Sequence, residues 1–82
     1  MTYQAPHTTL PPDPERMNDK RAAWAAHTVA AFQDITGTDD EDALCDLLAD
    51  LMHWADRCNY DFDAALIRGR DHYEAETLGE CA

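Results

Sequence analysis

Basic residues are scarce in this chain: six lysines and arginines stand against 17 aspartates and glutamates in 82 residues, for a formal net charge of -11. So few cations cannot neutralise a run of phosphates, and a field of this sign repels nucleic acid and anionic membrane alike. Direct nucleic-acid binding is therefore not expected. Long apolar runs are also missing. No stretch nears the eighteen residues of a membrane span, and the start MTYQAPHTTLPPDP has neither the basic region nor the apolar core of a signal peptide. The expected location is the cytoplasm. No segment alternates apolar and polar residues at period two, which removes the usual signal for strands. Cysteines number three, an odd count without paired metal-ligand spacing, which points to a reducing compartment. Cys45 and Cys58 lie about 20 Å apart along one predicted helix, out of disulfide reach.

What the chain has instead is helical periodicity. In Thr38–Cys58, TDDEDALCDLLADLMHWADRC, the residues Leu44, Leu47, Leu48, Leu51, Ala55 and Cys58 recur at intervals of three and four. They share one helix face, which is expected to be buried. An earlier helix is expected over about 14–36, opened by Asp13, Pro14 and Glu15, with Asn18 as a second start. Its stripe is Met17, Arg21, Trp24, Thr28, Ala31, Phe32 and Ile35, and Gly37 closes it in a left-handed cap. Thr38 with Glu41 reads as a capping box opening the second helix, over about 39–58. Asn59 ends that helix, and Asp61 caps a third over about 62–77, with Phe62, Ala65, Leu66, Gly69 and Tyr73 on its inner stripe. Gly69 suggests close approach of a neighbouring helix. Residues 1–12, with three of the four prolines, form an extended or disordered arm, with Tyr3 and Leu10 as anchors should it drape over a partner. The expected fold is all-α: a single domain over 13–78, a helical hairpin plus a third helix, with a tail at 79–82. So small a core is marginal, which makes a homodimer or a bound complex a reasonable expectation.

The acidity is concentrated. Residues 39–63 hold nine acids and one base, a net of -8 out of -11. Asp42, Asp46 and Asp50 are spaced at four, which stacks their carboxylates about 6 Å apart on the side opposite the leucines. A charge run is often just a solvated face. It also suits docking on a lysine- and arginine-rich surface, in the extreme as a mimic of a phosphate backbone. Asp39 and Asp56 add to the field, and His53, Trp54 and Tyr60 are the candidates for specific contacts.

A metal site is the alternative use of the same residues. Asp50 and His53 have the acid-x-x-His spacing of helical di-metal carboxylate proteins, with Asp46 a turn earlier as a further oxygen ligand. Such sites draw ligands from several helices into a bundle, whereas this group points away from the leucines. Cys58 has Arg57 beside it and His53 five residues back, but it belongs to the apolar stripe, where a buried thiol is inert. The aromatics Trp24, Trp54, Tyr60, Phe62 and Tyr73 read as core residues, with Trp54 at the border of its stripe. No catalytic residue and no cofactor are expected.

Two resemblances bear on function. The segment ALCDLLADLMHWADRCNYDFDAAL is similar, in its Asp-Leu-Leu run and closing Asp-x-x-x-Ala-Leu, to the second half of the MazG-like helical nucleotide pyrophosphohydrolases. That family holds magnesium on a triphosphate with two acidic pairs on successive helices. The first pair is absent, since the first helix has no two acids three apart in its body, so the resemblance implies shared architecture and at most a degenerate phosphohydrolase. The pattern DLLADLMHW, then DFDAAL and HYEAE, over roughly residues 42–76, resembles small acidic helical proteins of phages, plasmids and mobile elements, which implies an inhibitor of host defence or nucleic-acid-binding machinery. The leading expectation is thus a non-enzymatic acidic module, an inhibitor or adaptor that binds a basic protein surface. The alternatives are the metal-dependent phosphohydrolase and a structural dimerisation subunit.

Overall fold

A computed structural model describes residues 10–78. The first nine residues, with Tyr3, and the tail at 79–82 lie outside this range. Three helices follow in order, α1 (Asn18–Thr36), α2 (Asp40–Cys58) and α3 (Phe62–Glu76), with no strand among the described residues. The chain is therefore a small all-α domain.

The joints follow closely from local chemistry. Gly37 ends α1 with φ 74°, and its amide donates to the Gln33 carbonyl at 2.7 Å. The left-handed region is open to glycine because it has no Cβ. Asn59 ends α2 in the same way, at φ 64°, with the Tyr60 amide donating to the Ala55 carbonyl at 2.9 Å. The Asp61 carboxylate then accepts from the Ala64 amide at 3.0 Å, satisfying a donor that the first turn of α3 leaves open. Between α1 and α2, the Gln33 side-chain amide donates both to the Thr38 carbonyl and to Asp40 Oδ1 at 2.8 Å, which ties the hairpin shut.

One expected start is corrected and one is decided between its alternatives. Helix α1 begins at Asn18, the second of the two starts the sequence offers, and not near Pro14, because Arg16 takes a left-handed φ of 59° that no α-helix accommodates. Asp13 still caps, but from outside a turn: its carboxylate accepts from the Met17 amide at 3.1 Å and from the Asn18 amide at 3.2 Å. The capping box from Thr38 is replaced by Asp39 as the residue preceding α2, since the Thr38 hydroxyl pairs with that of Thr36 at 2.8 Å.

Packing is sparse. Helix α1 lies against α2 and α2 against α3, while α3 returns to meet the start of α1. There Asn18 Nδ2 donates to the Glu76 carbonyl at 2.9 Å, and Arg21 bridges Glu76 and Glu15. The Glu15 hydrogen bond, helped by the charges of Glu76 and Asp13, raises the Arg21 guanidinium above its ordinary pKa. Helix α3 runs from the end of α2 toward the start of α1, so it covers the leucine stripe of α2 at Ala55 and leaves Leu44 and Leu48 largely exposed.

The expected burial of the apolar stripes is accordingly corrected. Only Ala43 and Ala55 are buried among the described residues. Leu44 is 65 % exposed, Leu48 42 % and Leu51 38 %, and the Cys58 thiol is exposed as well. Trp24, Ile35, Leu66 and Tyr73, placed on the inner stripes of α1 and α3, are also exposed, while Phe32 and Phe62 are half-buried. Gly69 meets no neighbouring helix, for a Cβ built there finds nothing within 4 Å.

Candidate interaction surface

Helix α2 carries the candidate surface on its two sides. At 100° per residue, Asp42, Asp46 and Asp50 centre about 170° away from Leu44, Leu48, Leu51 and Met52. All three aspartates are exposed, as are Asp39, His53 and Asp56. Among the described residues no lysine or arginine pairs with Asp42, Asp46 or Asp50. The nearest base in sequence, Arg57, donates instead to the His53 carbonyl at 3.1 Å, capping a backbone acceptor of its own helix. The three carboxylates therefore face solvent without an ion-pair partner among the described residues.

At the C-terminal end of this face Trp54 and Tyr60 meet, with ring centroids 5.3 Å apart and planes tilted by 40°. Both rings remain more than half exposed. The pairing arises because Asn59 reverses the chain and brings Tyr60 back over the last turn of α2. A tilted pair at this distance is a favourable aromatic geometry, so the two rings form one exposed apolar patch. Of the residues singled out by sequence, the structure thus brings Trp54 and Tyr60 into contact beside the acidic row. His53 shares the acidic side, whereas Asp39 stands at the opposite end of the helix.

The same reversal opens a groove between α2 and α3, with a volume of about 620 Å³. Leu51, Trp54 and Ala55 line its α2 wall, while Phe62, Ala65, Arg68, Gly69 and His72 line the α3 wall. Sequence reasoning missed Arg68 and His72. Their signal was faint, two basic side chains four apart on α3 flanking the glycine. Helix α3 is rotated relative to the expected stripe, so Ala65 and Gly69 face the groove while Leu66 and Tyr73 do not line it.

For the metal alternative, Asp46, Asp50 and His53 share one exposed side of α2, but no group of three histidine, cysteine or acidic side chains is gathered to hold an ion among the described residues. No helix of the described residues is long and apolar enough to cross a membrane. Comparison of the chain with protein-family models, with curated proteins and with solved structures finds no match.

Proposed function

We propose that this protein is a non-enzymatic acidic binding module, an inhibitor or adaptor that docks the carboxylate side of α2 on a basic surface of another protein. The observation that carries the reading is the row Asp42, Asp46 and Asp50, exposed and without a cationic partner, ending beside the exposed Trp54–Tyr60 pair. An uncompensated row of charge gives long-range attraction and fast encounter, and an aromatic anchor at its end gives the contact that resists dissociation. Asp39 and Asp56 extend the field, and His53 is within the footprint. A partner that normally grips phosphates presents the complementary surface, which makes a nucleic-acid-binding protein the natural target and mimicry of a phosphate row the mode of inhibition.

The test is capture from lysate with paired baits, the natural chain and the Asp46→Lys, Asp50→Lys double variant. A protein retained by the first at low salt, released as salt rises and absent from the second supports the reading, provided the helix content of the two baits is equal. Equal retention by both baits removes it.

A further inference from the structure

We infer that the groove between α2 and α3 binds a small molecule that joins an apolar body to a single carboxylate, with Arg68 and His72 holding the carboxylate. At 100° per residue the acidic row lies about 130° round α2 from the groove wall of Leu51, Trp54 and Ala55, so this is a different surface. Trp54 and Tyr60 border both. The variants that test the groove are therefore taken from α3, and their failure is distinct from failure of the acidic row to bind a partner.

Size selects a small molecule. The groove's volume of about 620 Å³ is within the range of roughly 300–1,000 Å³ usual for small-molecule sites. From Phe62 to His72 its α3 wall is about 15 Å long, and a helix is about 10 Å across, so two such walls offer well under the 800 Å² or so that a stable protein interface takes from each partner. The walls also have the usual character of such a site, apolar and aromatic with few polar groups. Leu51, Trp54 and Phe62 supply the apolar surface, and Gly69 leaves space at the α3 wall, where a Cβ would find nothing within 4 Å.

The charged groups of the groove select an anion. Asp61 is already engaged, its carboxylate accepting from the Ala64 amide at 3.0 Å. Arg68 and His72 are four apart on α3, so they project from one helix face about 6 Å apart, two and three turns along from Asp61. Neither has an ion pair or a side-chain hydrogen bond among the described residues. The forked donors of a guanidinium match a carboxylate, and an imidazole N–H from the next turn adds a further donor. One negative charge suits the site better than two. A phosphate monoester would bring a charge of about -1.5 to -2 into a chain whose net charge is already -11.

Titration calorimetry of the full chain with decanoate, decyltrimethylammonium and decanol, each kept below its aggregation limit, tests the site. A merely apolar trap in so acidic a chain would prefer the cation, whereas the groove is expected to take one decanoate at least about tenfold more tightly than either of the others. In the Trp24→Phe chain the emission of Trp54, which lines the groove, should follow the same curve. Arg68→Gln should weaken decanoate about tenfold or more. Arg70→Gln makes the same change of charge at an exposed side chain outside the groove and should have much the smaller effect. Gly69→Leu should fill the groove and abolish binding with helix content kept; should it unfold, the two arginine variants, both at exposed positions, still decide. No saturable uptake of decanoate leaves the groove to an apolar segment of another protein and overturns the inference. Binding of decyltrimethylammonium as tightly as decanoate, or equal losses from Arg68→Gln and Arg70→Gln, overturns it too.

Discussion

Truncating Leu44 and Leu48 separately is expected to cost folding stability unequally, because the two side chains bury different shares of their surface in the chain's own packing. Fully burying a leucine contributes about 2 kcal/mol. Leu44 is 65 % exposed, so its share in folding is about 0.7 kcal/mol. Leu48, 42 % exposed, contributes about 1.2 kcal/mol. Leu48→Ala should therefore destabilise the chain by more than Leu44→Ala, by roughly half a kcal/mol. Urea unfolding of the two variants, read by helix content, gives the stabilities. Equal costs, or a larger cost from Leu44→Ala, would refute the reasoning, since burial would then not be what sets the contribution.

Other expectations follow from single positions. Gly69→Ala should raise the melting temperature, adding about 0.5–1 kcal/mol of helix stability, because a Cβ there meets nothing within 4 Å. A drop in melting temperature instead would mean that the groove is occupied at Gly69. Asp61→Ala removes the carboxylate that accepts from the Ala64 amide and should cost about 1 kcal/mol, measured by thermal or urea unfolding. Calorimetric titration with magnesium, manganese or zinc should show no saturable uptake. Tight binding that Asp46→Asn and Asp50→Asn abolish would instead favour the metal-dependent alternative.

The joints of the fold were legible because each rests on a short-range rule. Gly37, Asn59 and Asp61 act through their own backbone or side chain within a few residues, and all three appear where their chemistry placed them. For the start of α1 such rules left two alternatives, Asp13–Glu15 and Asn18, and did not choose between them. Asp13 resembles an ordinary cap, but its carboxylate serves amides four and five residues on, across a left-handed Arg16, where the ordinary reach is two or three. Nor does sequence tell which element covers an apolar stripe. Leu44, Leu48 and Leu51 share a face as their spacing requires, yet burial within the chain depends on where α3 lies. That path is fixed in part by the hydrogen bond from Asn18 to Glu76, between residues far apart in sequence. The groove depends on the same angle between α2 and α3, so Arg68 and His72 gained meaning only in three dimensions. The acidic side was fully legible, because solvent exposure needs no partner element to define it.

The central claim is that the carboxylate row on α2 is a docking surface. The most direct measurement is the affinity of the captured partner, once purified, for the natural chain and for the Asp46→Lys, Asp50→Lys variant, taken across a salt series by titration calorimetry. The account predicts a loss of at least about a hundredfold at low salt, with helix content unchanged, and a natural-chain affinity that falls steadily as salt rises. An affinity that is the same for both chains at low salt would contradict it.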